Sequence, residues 1–372
     1  MNLLVTIGHP AHVHFFKNMI WKLERKGHVV KIAAHAKDIA LELLDCYGFK
    51  YEIVGAYHGN WLTKIINGIK VDANLYKLAK SYQSEILIGV GAFDVAHVCK
   101  LLNKSAIIFG DTEHAKVELK LIPFIDVICT PSALKKHWGE KHIRYNGYKE
   151  LAYLHPRYFK PDATVLDQLG VSKDERFIIM RLVGWTATHD IRSIGFSRGT
   201  LPKVVRELER YGNVFITSEQ PLPRSLLKYQ LRLPPDKFHS VLYYASLYFG
   251  EGGTTAVESA LLGTPSVHLE GIRMRSGKLI DVTHIHGNFD ELQNKYGLLY
   301  TYARELEAVA KAIELLEDRH SKRVMRARLN RLLAEKIDVT AWMTEFIERY
   351  PTSFYEYKRS SNRNRRIKNR WL

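Results

Sequence analysis

Six short, nearly continuous apolar runs rich in β-branched residues lie at 2–7 (NLLVTI), 28–34, 50–54, 85–90, 105–109 and 126–130. Runs of this kind suit strands covered on both faces, because a half-solvated sheet would need alternating polar positions. Between them the spacing is helical: at 12–26, where Phe15, Phe16, Met19, Ile20 and Leu23 recur and Gly27 ends the segment, then at 37–47, 61–82 and 94–103. Repeated β-α-β winding with a parallel sheet is the architecture that absorbs this pattern.

A second cycle follows a Pro-rich, aromatic connector. Strands are expected at 176–183, 213–217, 246–249 and 265–269, with helices near 200–211, 223–231, 254–262 and 303–317. A charged helix at 319–335 and an apolar-spaced segment at 339–349 come last, the latter suited to pack back on the first half. The expected organisation is an N-terminal domain at 1–150, a connector at 151–172, a C-terminal domain at 173–337, a returning helix at 338–350 and a basic tail at 351–372. With 372 residues and 46% hydrophobic content, two cores are affordable. No fixed short repeat suggests a solenoid.

No apolar run reaches the roughly 18 residues of a membrane span, and MNLLVTIGHPAHVHFF enters a strand pattern directly, so a cytoplasmic location is expected, with peripheral membrane contact left open. Cys46, Cys99 and Cys129 are too few and too scattered for a zinc site, and buried thiols are expected. Of the formal charge of +16, the first 352 residues carry +10 and residues 353–372 supply +6, seven Lys/Arg against one Glu. Such a run is expected to be a mobile appendage touching an anionic membrane surface, RNA or nothing specific.

Ligands in open α/β sheets bind at the carboxyl ends of the strands, and two facing halves would gather those ends around one cleft. The richest loop is GEGGTTAVES. A glycine turn there leaves the amides of Gly253, Thr254 and Thr255 pointing out of a helix N-terminus, a seat for a diphosphate. Glu258 lies one helical turn after Thr254, placed to accept hydrogen bonds from a sugar hydroxyl. The run matches neither the lysine-bearing NTPase loop nor the spaced glycines of dinucleotide binders. A plain strand-to-helix connection is the competing reading of Gly252-Gly253.

The order IGHPAHVHFF, ILIGVGAFDVAHV, IIFGDTEHA, PFIDVICTPS, RLVGWTATHD and GEGGTTAVESALLGTPSV resembles a largely archaeal domain-of-unknown-function family of the GT-B superfamily, over about residues 1–335. More distantly it is similar to the peptidoglycan N-acetylglucosaminyltransferase and to non-hydrolysing UDP-N-acetylglucosamine 2-epimerases. The resemblance implies a GT-B fold, two Rossmann-like doubly wound domains facing across a cleft, with a UDP-sugar-type donor held by the second. It further implies that Gly252, Gly253, Thr254 and Thr255 form the diphosphate loop and that Glu258 holds the ribose hydroxyls. His12 falls where the transferase has the histidine of its N-terminal glycine-rich loop, although most of those glycines are lost; Asp94 and Glu113 fall where epimerases carry catalytic acids after the fourth and fifth strands. The AGLR run of epimerases is replaced by His114, Ala115 and Lys116, and the transferase's late donor-contacting Gln has no clear counterpart.

Arg181, Arg273 and Arg275 are candidates to stabilise a departing diphosphate, with a solvated loop as the competing reading for the latter two. His12 or Asp94 suits removal of an acceptor proton. Asp111, Glu113 and His114 crowd three titratable groups after one buried strand. Trp185 and His189 are placed toward the base or sugar. His9, His12 and His14 lack the spacing and companions of a metal site, and no metal or cofactor is expected beyond the nucleotide sugar as substrate. The leading expectation is a metal-independent glycosyltransferase acting on an unidentified hydroxyl acceptor, with aromatics such as Tyr57, Trp61 and Tyr76 hinting at a lipid-linked one. A 2-epimerase using Asp94, Glu113 and His189 is the nearest alternative; a basic RNA- or lipid-binding protein is the third.

Overall fold

The computed structural model describes residues 1–37, 39–56, 61–110, 113, 122–184 and 193–368, with the backbone alone at 61, 62, 64 and 361–368. The chain divides into two compact units, Met1–Tyr153 with Ile337–Leu372, and Leu154–Lys336.

In the first unit β1 (Asn2–Ile7), β2 (Val29–His35), β3 (Glu52–Gly55), β4 (Ile86–Val90), β5 (Ser105–Phe109), β6 (Val127–Pro131) and β7 (His142–Tyr145) form one sheet. Its order is β3-β2-β1-β4-β5-β6-β7 and every pairing is parallel. The apolar runs fill the centre, where Leu4, Val5, Leu87, Ile88, Ile107 and Ile108 are fully buried. Strand order reverses between β1 and β4, which opens a crevice at their carboxyl ends. The helices α1 (Pro10–Arg25), α2 (Ala40–Cys46), α3 (Trp61–Ser81) and α4 (Phe93–Leu102) supply the crossovers. Pro10 opens α1, where its missing N–H costs nothing, and the His9 side chain caps it by accepting from the Ala11 amide. Phe15 and Phe16 then meet Phe109 edge-on, at 5.2 and 5.7 Å between centroids.

The second unit has a five-stranded parallel sheet, β10-β8-β11-β12-β15, built from β8 (Phe177–Leu182), β10 (Asn213–Ser218), β11 (Leu247–Gly250), β12 (Ser266–Leu269) and β15 (Tyr300–Tyr302). Its order reverses between β8 and β11. A small antiparallel sheet of β9 (Ser193–Ile194), β13 (Gly271–Arg273) and β14 (Leu279–Asp281) lies beside it in sequence and was not foreseen, because two- and three-residue strands carry no period. The helices are α5 (Thr164–Leu169), α6 (Leu201–Glu209), α7 (Phe238–Tyr244), α8 (Gly253–Leu261), α9 (Glu305–Glu317) and α10 (Ser321–Glu335). The helix expected at 223–231 is a 3-10 segment, Arg224–Tyr229. The Lys322 ammonium donates to the carbonyls of Tyr243, Tyr244 and Ala245 at 2.8, 2.9 and 2.6 Å, satisfying the open end of α7.

The chain then rejoins the first unit. In α11 (Val339–Glu348), Thr340 Oγ1 and Asn18 Nδ2 of α1 both donate to the Ala152 carbonyl, at 2.6 and 2.8 Å. The tail differs from the mobile appendage expected of its composition: Thr352–Lys368 is a helix, α12. The Tyr357 hydroxyl accepts from the Arg144 N–H and donates to the Arg144 carbonyl, at 3.0 and 3.1 Å, while Lys358 donates to the His142 carbonyl. These bonds occupy backbone groups on β7, the sheet's edge strand, which would otherwise stand unpaired.

Cys99 and Cys129 are buried free thiols, and burial pushes the Cys99 thiol up to about 12 and that of Cys129 well above its usual value. Cys46 is exposed, against expectation, because it ends α2 on the solvent side. Among the described residues no helix is long and apolar enough to cross a membrane.

Candidate functional site

In the second unit the strand-order reversal juxtaposes the ends of β8 and β11, and the glycine turn follows β11 directly. Gly250 and Gly252 are required by that closeness. A Cβ on Gly250 would sit 2.6 Å from the Arg181 carbonyl oxygen and 2.8 Å from its nitrogen, and one on Gly252 would sit 2.8 Å from Arg181 Cγ. Gly252 is the N-cap residue of α8, with no capping side chain, and the first helical bond runs from the Ala256 amide to the Gly252 carbonyl. The amides of Gly253, Thr254 and Thr255 therefore have no acceptor among the described residues. Three N–H groups without an acceptor among the described residues, at the start of a nine-residue helix, are an arrangement that can hold an anion.

An acid beside such a seat would oppose an anion unless it were turned away and engaged. Glu251 is. Its buried carboxylate accepts from the amides of Val183 at 2.8 Å and Phe196 at 2.6 Å, tying together the two ends of the segment that follows β8. Tyr248, fully buried, donates its hydroxyl to the Gly252 carbonyl at 3.0 Å; burial raises its pKa far above the ordinary value, so it remains a donor. Beneath Gly253 lies the ring of Phe289, which in turn packs on His268 at 5.2 Å between centroids. His268 bonds the Gly250 carbonyl and Glu270, and Ser193 donates to Glu270 as well. Burial pushes the Glu270 carboxyl up, but the bonds and charge of His268, with Ser193, outweigh it and leave a net lowering.

Arg181 is not a free cation at this edge: its Nη2 donates to Glu219 Oε1 at 2.9 Å, while Glu219 Oε2 accepts from the Gly184 amide at 3.1 Å. The pair is partly exposed, so an incoming anion can exchange for the carboxylate at small cost. Arg273 and Arg275 lie in the β13–β14 hairpin, exposed and without a carboxylate partner among the described residues. Glu258 is buried on α8, with Oε1 3.0 Å from Nε2 of His239 in α7. Trp185 and His189 lie outside the described residues.

The first unit brings a second set of groups to the reversal between β1 and β4. The Gly8 amide, just past β1, donates to His12 Nδ1 at 3.3 Å, which puts the neutral ring's proton on Nε2. Asp94, in the first turn of α4, is buried; its Oδ1 accepts from the Val95 amide at 3.0 Å and its Oδ2 lies 2.9 Å from Nε2 of His35, at the end of β2. His14 turns away from His12, stacking on Tyr153 and bonding the Tyr47 hydroxyl. Glu113 is held elsewhere: its Oε1 accepts from the Lys135 amide at 3.1 Å, and its carbonyl accepts from Lys136. Asp111 and His114 lie outside the described residues, as do Tyr57, Ala115, Lys116 and the Trp61 side chain. Among the described residues no three His, Cys, Asp or Glu side chains are grouped to hold a metal ion.

The partners were the part hidden in the sequence. His35, His239, Glu251 and Phe289 bind or pack at these edges across long separations, and only Glu251 left a signal, an acid inside an anion-type turn.

Two doubly wound parallel units, the second bearing a glycine turn at its switch point, make this a GT-B fold. The chain belongs to the family described as protein of unknown function (DUF354), whose model matches residues 1–339. An uncharacterized protein of Methanocaldococcus jannaschii is 26% identical over 282 residues, covering 72% of this chain and 81% of the relative. Among solved structures, a Staphylococcus aureus MnaA–UDP complex aligns with a TM-score of 0.64 at 12% identity, covering 96% of this chain and 97% of that one. A candidate UDP-N-acetylglucosamine 2-epimerase of Listeria monocytogenes gives 0.61 at 13% identity, with 90% and 95% covered. The Streptomyces sp. SF2575 glycosyltransferase SsfS6, complexed with thymidine diphosphate, gives 0.58 at 14%, with 94% and 99% covered. At these identities the likeness establishes the fold alone.

Proposed function

We propose that the protein is a metal-independent glycosyltransferase that takes a nucleoside-diphosphate sugar of the UDP-sugar type on its second unit and transfers the sugar to a hydroxyl acceptor. The observation that carries this reading is the set of three amides at Gly253, Thr254 and Thr255 that have no acceptor among the described residues, at the switch point of the second unit; the chain's fold is similar over its length to that of proteins solved with UDP and with thymidine diphosphate. In this reading the amides and helix dipole hold the diphosphate and stabilise the charge it gains as the glycosidic bond breaks. Arg181 adds to that stabilisation by leaving Glu219 for the phosphate, and Arg273 and Arg275 add positive potential from the hairpin. Glu258 serves the ribose, and Trp185 and His189 the base or sugar. Asp94, oriented by His35, or His12, through Nδ1 once the Gly8 contact opens, takes the acceptor proton.

One observation favours a second reading, a nucleotide-sugar 2-epimerase. Asp94 is an engaged, buried acid at the switch point of the first unit, and an epimerase must move a proton at a carbon rather than at a hydroxyl. Incubation with UDP-N-acetylglucosamine alone, with and without EDTA, separates the two. The transferase reading expects the sugar nucleotide to be stable without an acceptor and the outcome to be indifferent to EDTA. Conversion to the manno epimer ends it.

A further inference from the structure

His239, bonded to Glu258, is a buried group that the reading above leaves without a role. Both residues are buried, their bond is 3.0 Å long, and they belong to different helices of the second unit. A carboxylate placed deep in a unit is costly unless a hydrogen-bonding partner of opposite tendency holds it. His239 is that partner: it sits in the first turn of α7, which packs against α8, and Nε2 faces Glu258 Oε1. Side chains on a helix lean toward its N-terminus, so Glu258 leans over the turn carrying Thr254 and Thr255. The pair thus underlies the turn whose amides form the anion seat.

We propose that His239 is a positioning residue for ribose recognition: by donating from Nε2 to Glu258 Oε1 it fixes the rotation of that carboxylate toward the ribose hydroxyls of a nucleotide whose diphosphate is seated on α8. The proposal rests on the nucleotide-sugar reading above. It assigns His239 no contact with the nucleotide and no proton transfer. Its consequence is specific, because a carboxylate released from this bond loses hydroxyl recognition while the amides of Gly253 to Thr255 keep the diphosphate.

The test is calorimetric titration of the full-length protein with UDP and with 2′,3′-dideoxyuridine 5′-diphosphate, which lacks both ribose hydroxyls. The parent protein is expected to prefer UDP by about tenfold or more, the worth of a hydrogen bond to a charged group. His239→Ala is expected to shrink that ratio to about twofold or less, chiefly by weakening UDP, with the dideoxy affinity changed by less than about threefold. His239→Gln, whose amide can donate in place of Nε2, is expected to restore most of the preference. Should His239→Ala fold poorly, His239→Gln beside His239→Leu carries the same comparison, with melting temperatures of the free proteins as the control. A ratio unchanged in His239→Ala, or equal losses for both ligands, overturns the proposal and leaves the donor reading standing. A parent protein that binds both ligands equally overturns the proposal together with the ribose role of Glu258, and leaves the diphosphate role of the α8 amides standing. Binding of neither ligand overturns both.

Discussion

Replacing Glu251 by alanine tests how the glycine turn is built. The carboxylate accepts two backbone amides, from Val183 and Phe196, at 2.8 and 2.6 Å. A hydrogen bond to a charged group contributes about 1.5–3 kcal/mol, but both amide-bearing residues are only half-buried, so water recovers part of each loss. A net cost of about 3 kcal/mol follows. In a unit spanning Leu154–Lys336, roughly 2–4 °C accompanies each kcal/mol, so its melting transition should fall by about 6–12 °C. Glu251→Gln keeps one acceptor oxygen but turns an NH2 toward the other amide, and it should recover less than half of the loss. Differential scanning calorimetry of the three proteins is the assay. A transition for Glu251→Ala within about 1 °C of the parent would show that the segment ends at 183 and 196 are held by something else.

Other consequences are open to direct measurement. Gly250→Ala should destabilise the second unit in chemical denaturation by at least about 2 kcal/mol, since the new Cβ meets Arg181 backbone atoms at 2.6 and 2.8 Å that have no room to yield; an unchanged midpoint would contradict this. His142 accepts the Trp138 amide on Nδ1 and bonds Thr130 through Nε2, and burial, then His137, Arg144 and Lys358, lower its pKa to about 3. Its folded pKa lies below the unfolded value near 6.5, so the unfolded chain binds the extra proton between these limits and stability falls as pH drops, by up to about 1.4 kcal/mol per unit. His142→Gln should show a shallower loss of melting temperature from pH 6.5 to 4, and a slope equal to the parent's would refute the assignment. Tyr357→Phe, which strips the hydroxyl that pairs both Arg144 backbone groups on β7, should cost about 1–2 kcal/mol and speed amide exchange at Arg144; unchanged exchange there would count against an edge-capping role for α12.

The sheets were legible because parallel strands covered on both faces leave apolar runs, and those at 2–7, 85–90 and 105–109 reappear as β1, β4 and β5 within a residue. The glycine turn was legible too, since two adjacent glycines between a strand and an amphipathic helix allow few backbone paths. What stayed hidden was set by tertiary pairing. Nothing near Asp94 in sequence points to His35, 59 residues away, and nothing near Glu258 points to His239. At the tail, composition did not foretell that Tyr357 and Lys358 tie the start of α12 to the edge strand. In the sequence a solvated loop already competes for Arg273 and Arg275 but not for Arg181, and the structure places Arg181 beside the glycine turn, bonded to Glu219, and the other two on an exposed hairpin.

The central claim is that amides at the start of α8 bind a nucleoside diphosphate, and Gly253 permits a clean test of it. Proline at this first helical position removes one N–H while fitting the extended backbone of Gly252 before it; Gly253→Ala keeps the N–H and introduces the same Cβ against Phe289, 3.2 Å away. Titrating UDP into the parent and both variants by calorimetry should give saturable binding to the parent, a small change for Gly253→Ala, and a further loss of about tenfold for Gly253→Pro. Equal affinities for the alanine and proline variants, or no binding of UDP to the parent at millimolar concentration, would contradict the account.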